Sequence, residues 1–509
     1  TVMIKVIGEE AEYESLCSSL TLVSTLYNIS CSMPGRKLLL TREPGASPNT
    51  RYRVLDLLLR FASNGGPPGT GKALLARTAL QTVFNLSCCT QGIRLIIESG
   101  RVMRTLIRLL DETATAEGET VDEDDDPLMV YISLSILYNI SSDTGLQNCR
   151  RLVSVDGAVE CLIARARNAA VQTTETNALC AALLCRLSTD KTIVEQLVNA
   201  GIFSAIIAQS HTNDRNTKER CAVTISLMAD GETQTRKALV EHGALPILMN
   251  MSGSHDPRIR QNSVAALCEL TSCVEVKEKM VDLGAVKSLV LTGLIRVSED
   301  DPATCNSCCK ALYNLLSTDG KFEQIIADGV VWALTTMLGL TKEMRSLGMV
   351  GLANIASNPL GRIEMSNKNT LKRLTSLALT KNPVLRPSET TRATCAMVLH
   401  NLVCGCSEDA RLDPTPSRIE QTEATLGLVV AHNGMNALGV LSRIPNPHTM
   451  CGCVAALAVL ATYVPGQERF MISGGMGSLC EISGCDPAFV GTRGHWAIMR
   501  HCAIAAHGE

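Results

Sequence analysis

The chain reads as an all-α array of stacked helical repeats, and three observations carry that reading. Its 509 residues exceed what one compact core usually supports. Hydrophobic residues make up 46% of it but aromatic residues only 3%. A core of Leu, Ala, Val, Ile and Cys suits closely packed helices, whereas strands favour aromatic and β-branched side chains. Finally, one pentapeptide keeps returning, and self-similarity of that kind marks a repeat architecture.

The repeats can be followed in order. Leu26-Tyr27-Asn28-Ile29-Ser30 is succeeded by Val83-Phe84-Asn85-Leu86-Ser87 and by Leu137-Tyr138-Asn139-Ile140-Ser141. The pattern returns as Leu312-Tyr313-Asn314-Leu315-Leu316, Leu352-Ala353-Asn354-Ile355-Ala356 and Leu399-His400-Asn401-Leu402-Val403. Weaker copies lie at 184–188, 267–271 and 457–461, with a degenerate one near 225–229. A second marker follows many copies, a Gly before a small or apolar residue. It occurs in Asp156-Gly157-Ala158, Ala200-Gly201-Ile202, His242-Gly243-Ala244, Leu283-Gly284-Ala285, Asp328-Gly329-Val330 and Asn433-Gly434-Met435. Glycine takes left-handed backbone angles without penalty, so it suits a sharp corner between helices. Apolar residues between markers recur at helical spacing, as at Ala244, Leu245, Leu248 and Met249.

Successive markers stand about 40 to 60 residues apart, and the tighter intervals match the roughly 40–47 of helical repeat arrays. The longer ones imply insertions near 33–50, 111–127, 164–176 and 407–423. All four are rich in polar or turn-forming residues and are expected as surface loops. A Gly between a short first helix and a second, with Leu-x-Asn-Leu/Ile in a third, resembles the armadillo-repeat family, of which importin-alpha and beta-catenin are members. The resemblance covers nearly the whole chain, 1–509. It implies a right-handed superhelix, an α-solenoid, of about nine or ten three-helix repeats.

In those relatives the Asn of the third helix faces the concave groove. Carried over position by position, the resemblance makes Asn28, Asn85, Asn139, Asn314, Asn354 and Asn401 candidates for contact with an extended ligand, because an amide offers both a donor and an acceptor. The alternative role is structural, bonding neighbouring helices. The pattern fails at Arg186, at Glu269 and around Leu227, which gives the middle of the groove different chemistry. Importin-alpha-like grooves place Trp four residues before the Asn. Here Ser24, Gln81, Ser135, Lys310, Val350 and Met397 occupy those positions, and the two tryptophans are Trp332 and Trp496. Recognition of a nuclear signal of the usual kind is therefore not expected.

Other motifs weigh less. Gly66-Pro67-Pro68-Gly69-Thr70-Gly71-Lys72-Ala73 approximates a phosphate-binding loop, but Ala73 stands where a hydroxyl should hold magnesium and the preceding 54–62 reads as a helix, where that chemistry needs a strand. An inter-helix turn is the expectation. The segment 111–127 has nine acidic residues and no basic one and reads as a solvated loop, with docking to a basic surface as its functional alternative. Arg362, Lys368, Lys372, Arg373, Lys381 and Arg386 form a candidate complementary patch. Cys305, Cys308 and Cys309, Cys404 with Cys406 and Cys451 with Cys453 lack the second well-spaced pair that structural zinc requires and are expected as small buried residues. His495, His501 and His507 are spaced by six, which does not place them on one helix face.

A net charge of −3 leaves no footprint for nucleic acid. Twenty-two cysteines scattered through apolar runs suit a reducing compartment better than a disulfide framework. The longest stretch free of Asp, Glu, Lys and Arg, between Arg443 and Glu468, holds an apolar part, 451–464, too short for a bilayer and expected as a buried helix. The chain begins at Thr1 and enters a repeat almost at once, so it is expected to be part of something longer. Charged residues amount to 19%, below the roughly 25% typical of soluble proteins, which suits membership in a larger complex. No catalytic set, cofactor or metal site is expected. The expected function is a non-enzymatic scaffold or adaptor for protein segments, in the cytoplasm. Its alternative is a permanent subunit of a cytoskeletal or ciliary assembly, of the kind that resembles axonemal armadillo proteins.

Overall fold

A computed structural model describes residues 12–40, 50–66, 69–112, 127–143, 145–170, 172–298, 301–381, 386–464 and 467. All regular elements among them are α-helices, and the chain divides into two units, Thr1–Met251 and Ser252–Glu509. Each pentapeptide lies on a long helix. In the first unit these are α1 (Glu12–Ser30), α2 (Gly71–Ser87), α3 (Pro127–Ser142), α4 (Thr174–Leu187) and α5 (Arg215–Ala229). The second unit has α6 (Pro257–Leu270), α7 (Pro302–Leu315), α8 (Lys342–Ala356), α9 (Glu389–Leu412) and α10 (Pro447–Thr462). Two further helices separate each from the next, for example Lys191–Asn199 and Ile202–Ser210 between α4 and α5. So, among the described residues, α1 is followed by nine repeats of a first, a second and a third helix, in line with the nine or ten expected.

Local chemistry starts the third helices. Eight of them follow a residue whose side-chain oxygen accepts a backbone N–H of the first turn: Thr70, Thr173, Asp214, Asp256, Asp301, Thr341, Ser388 and Asn446. Each such cap is worth about 0.5–2 kcal/mol. Pro257, Pro302 and Pro447 follow their caps directly, where the missing N–H costs no helix bond.

The first-to-second corner is where a positive φ is needed. Gly201 takes φ 83° and the two helices it joins diverge by 86°. Gly157, Gly243, Gly284 and Gly329 take the same conformation, as the sequence predicts. At the last corner the expected glycine is displaced by one residue: Asn433 adopts φ 61°, and a Cβ on Gly434 would collide with Val429. Asn is the side chain that best tolerates this region, so the left-handed residue and the close-approach residue have separated.

Within each unit every third helix packs on the next, α1 through α5 and α6 through α10. Second helices form a parallel layer, Thr50–Ser63 on Arg101–Glu112 and so on, and in the second unit Ala285–Ser298, Val330–Met337, Lys368–Ala378 and Gly434–Leu441 follow the same rule. The core lies between the layers. Leu80, Leu86, Leu134, Leu137 and Ile140 in the first unit, and Leu312, Leu334, Leu352 and Leu399 in the second, are fully buried. A repeat of this size cannot cover its own apolar face, so stacking carries the stability, at roughly 1.5–3 kcal/mol per buried Leu. Among the described residues no single helix is long and apolar enough to cross a membrane. The apolar stretch after Arg443 is helix α10, with Cys453, Leu457 and Leu460 buried.

Two of the expected loops are helical. Met33–Leu40 is a first helix, packed beside Thr90–Ser99, the first helix of the next repeat. Pro34 sits in its first turn, where it is harmless, and Gly35 lies so close to the Ile29 carbonyl that no Cβ would fit. Residues 407–423 complete α9 and begin Pro416–Ala431, leaving only 413–415 as a link. Their charges lie along helices, and Asp409 is bonded to Arg362 at 2.6 and 2.9 Å. Of 164–176, only 168–173 separates Ala158–Arg167 from α4, tied by Gln172 Nε2 donating to the Arg165 carbonyl at 2.6 Å. The core of 111–127 lies outside the described residues, as does 41–49.

Candidate functional site

The third helices bring the six candidate asparagines to equivalent ladder positions, in the last turn for five of them and at mid-helix for Asn401, because α9 runs on to Leu412. Three are tied to the preceding repeat. Asn85 Nδ2 donates to Ser30 Oγ at 2.9 Å, Asn139 Nδ2 to Ser87 Oγ at 2.9 Å, and Asn314 Nδ2 to Thr271 Oγ1 at 3.1 Å. The acceptor always lies two residues beyond the Asn position of the helix before. Those hydroxyls spend their own proton inside their helix: Ser30 on the Tyr27 carbonyl, Ser87 on Phe84 and Thr271 on Cys268. A hydroxyl so committed is left as an acceptor, and the Asn N–H supplies the donor. Where Arg186 replaces Asn, its Nε donates to the Ser141 carbonyl at 2.9 Å, so the tie survives the change of residue.

Asn354 and Asn401 differ. Their would-be acceptor positions are Leu316 and Ala356, which have no hydroxyl. Asn354 is exposed and Asn401 half-buried, and neither side-chain amide bonds to the described part of the chain. Asn28 is also exposed, on the first described helix.

On the helices that carry these two amides, and on α10, the neighbouring ladder positions are uncharged. At four and eight residues before each Asn position stand Val350 and Ser346 on α8, Met397 and Ala393 on α9, and Ala455 and Cys451 on α10, whose Asn position holds Val459. Earlier helices carry Arg77 on α2, or Lys310 on α7 with Glu269 on α6, an ion pair at 3.4 Å. Between α9 and α10 lies a cleft of about 470 Å³, lined by Thr394, Met397, His400, Cys451, Gly452 and Ala455. Met397 is 47% exposed there. His400 fixes the cleft floor, with Nδ1 3.0 Å from the Gly452 carbonyl, a distance that suits donation by the Nδ1–H tautomer.

Other candidates resolve differently. The phosphate-loop look-alike joins helix Thr50–Ser63 to α2, and Thr70 Oγ1 accepts the Ala73 N–H at 3.2 Å, so what is described of it is an inter-helix turn and cap. Residues 67–68 fall outside the described residues. The basic segment is not one patch. Arg362 is buried and held by Asp409 and the carbonyls of Ala356 and Ser357, while Lys368, Lys372 and Arg373 are exposed on a second helix. Cys305, Cys308, Cys309, Cys406 and Cys453 are buried, and Cys404 and Cys451 partly so. Burial pushes the thiols of Cys180, Cys221 and Cys395 up to about 12, far from thiolate chemistry. His495, His501, His507 and Trp496 lie outside the described residues.

Sequence reasoning missed the hydroxyl rungs. Their signal was present, since the first three pentapeptides and the copy at 184–188 end in Ser and the copy at 267–271 ends in Thr, whereas those at 312–316, 352–356 and 399–403 end in Leu316, Ala356 and Val403. A second missed signal is a Gly seven residues after the Asn, in Gly35, Gly92 and Gly361. At each, a Cβ would run into the carbonyl of Ile29, Leu86 or Ile355, so the next first helix is seated directly on the end of the third.

An armadillo/beta-catenin-like repeat model matches residues 233–272, the repeat made by Thr233–Glu241, Ala244–Ser252 and α6. No curated protein matches the chain. Among solved structures, an engineered protein aligns over 90% of this chain and 99% of its own at 18% identity, with a TM-score of 0.52. A designed armadillo repeat protein covers 53% of this chain and 98% of its own at 16% identity and TM-score 0.39. Another, in complex with the peptide (KR)4, covers 53% and 98% at 17% and 0.39. One repeat, 233–272, is similar to the armadillo/beta-catenin-like family by sequence, and the same three-helix unit with its corner and ladder positions recurs before and after it, so the fold is an armadillo-type array of helical repeats.

Proposed function

We propose that this chain is a non-enzymatic scaffold that holds an extended segment of a partner protein against its third-helix face, with Asn354 and Asn401 as the principal contacts. The observation that carries this reading is the pair of amides on packed neighbouring helices, unspent within the described chain and set in an uncharged row. An extended backbone presents N–H and C=O groups at regular intervals, and each Asn can meet one of each. The cleft beside Met397 suits an uncharged side chain of the same segment. Asn28 contributes in the same way. Asn85, Asn139 and Asn314 contribute through the carbonyl oxygen and second N–H that their ties leave over.

A pull-down from native extract tests this, comparing the intact chain with Asn354→Ala/Asn401→Ala. A partner lost only from the variant supports the reading, and equal recovery by both sinks it. The 19% charged fraction supports a second reading, a permanent subunit of a larger cytoskeletal or ciliary assembly. Recovery only within a large particle that resists moderate salt would favour that one.

A further inference from the structure

Away from the ladder, the second helices of the C-terminal unit carry another surface. Trp332, on Val330–Met337, is 59% exposed and is the one tryptophan among the described residues. The neighbouring second helix, Ala285–Ser298, exposes Leu291 and Ile295, each by about half of its surface. On the other side packs Lys368–Ala378, whose charged residues are Lys368, Lys372 and Arg373, all exposed, with no acid among them. Between Val330–Met337 and Lys368–Ala378 lies a cleft of about 680 Å³ that Trp332, Lys372 and Arg373 line together. Arg373 leans across it, with Nη2 donating to the Thr336 carbonyl at 3.4 Å. Glu364 is the single acid on the rim.

A lone exposed apolar side chain needs no explanation, but this arrangement is more than that. An indole offers some of the largest contact area of any side chain, and buried aromatic anchors ringed by charge dominate protein interfaces. Here the indole sits between an apolar helix face and a helix bearing three cations. We propose that the cleft docks an acidic segment of a partner protein, its apolar or aromatic anchor on Trp332 and its carboxylates toward Lys368, Lys372 and Arg373. Charge complementarity selects the partner and steers its approach. Single-stranded nucleic acid is disfavoured, because a row of stacking aromatics is missing from the described surface here. This docking is independent of the ladder.

Replacing Trp496→Phe makes Trp332 the sole tryptophan, so that emission excited at the red edge of the indole band, where the seven tyrosines do not absorb, reports on it alone. The probe is a synthetic peptide of alternating Glu and Leu around a central Phe, with a counterpart carrying Lys for every Glu. The acidic peptide should give a saturable blue shift that weakens with salt, and the Lys counterpart should give none. Lys368→Glu/Lys372→Glu, at exposed positions, should weaken binding by about tenfold or more while the thermal unfolding curve stays unchanged. The proposal is overturned by no saturable shift, by an equal shift with the Lys peptide, or by binding that ignores the charge reversal. It is equally overturned if the shift appears only with anionic lipid vesicles, which makes the surface a membrane contact, or follows protein concentration alone, which makes it a self-contact.

Discussion

On α2 and α3 each ladder amide reaches back to a hydroxyl on the previous helix, whereas on α8 and α9 the same residue type reaches nothing within the described chain. The Asn is unchanged between the two regions. What differs is its neighbour one repeat earlier: Ser30 and Ser87 in the first region, Leu316 and Ala356 in the second. A short change at the acceptor position thus converts a residue that ties repeats together into one available to a ligand. The lesson is that a ladder residue has no fixed role, because its partner decides it.

The largest expected effect comes from what holds the second region in place of rungs. Arg362 and Asp409 form a nearly buried two-bond pair, with side chains 9% and 16% exposed. Arg362→Ala leaves the carboxylate of Asp409 unpaired and should cost about 3–5 kcal/mol in urea unfolding. In the first unit, Arg150 pairs with the buried Asp190 but is itself 56% exposed, and Asp190 keeps Thr192 as a partner. Arg150→Ala should therefore cost clearly less than Arg362→Ala; equal losses would break the contrast.

Next in size is the rung itself. Ser87→Ala removes the acceptor of Asn139 and should destabilise the chain by about 0.5–1.5 kcal/mol. Asn354→Ala and Asn401→Ala should change stability by less than about 0.5 kcal/mol, since neither amide is bonded in the described chain. If the two groups cost the same, the distinction between tied and free amides is wrong.

The converse substitution sharpens the comparison. Ala356→Ser places a hydroxyl where Asn401 Nδ2 can reach it, in the relation of Ser87 to Asn139. The expected outcome is slowed exchange of the Asn401 side-chain amide protons and weaker partner capture, with little change in unfolding. Unchanged capture together with slowed exchange would remove Asn401 from the binding surface.

The smallest effect is on acid stability. Hydrogen bonding from Arg150 is the main cause that holds Asp190 down to about 2, with the Thr192 hydroxyl and N–H adding to it against burial. A depressed carboxylate contributes fully above its ordinary range near 4 and loses the contribution as pH falls through about 2. Amide exchange in helix Lys191–Asn199, which Asp190 caps, should accelerate across that window, and Asp190→Asn should flatten the dependence.

Much of the architecture was legible because it rests on local rules. Recurring Leu-x-Asn-Leu, the Gly corners at Gly201 or Gly284 and capping residues such as Asp214 and Asp301 act within a few residues of where they stand. Met33–Leu40 and 407–423 misread as loops because Pro34 and the run of charges match loop composition equally well; packing against Thr90–Ser99 and the Arg362–Asp409 pair resolved them as helix. At the candidate site the sequence could rank the asparagines only by resemblance, since the acceptor of Asn85 lies 55 residues away and that of Asn139 lies 52 away.

By itself, then, the sequence determined the helical class, the three-helix repeat and the positions of the ladder, because periodicity, caps and glycine corners are short-range physics. Which ladder amides are spent and which are free was decided only by tertiary structure. Stacking brings residue two past one Asn against the amide of the next, and that meeting exists only when successive repeats are packed.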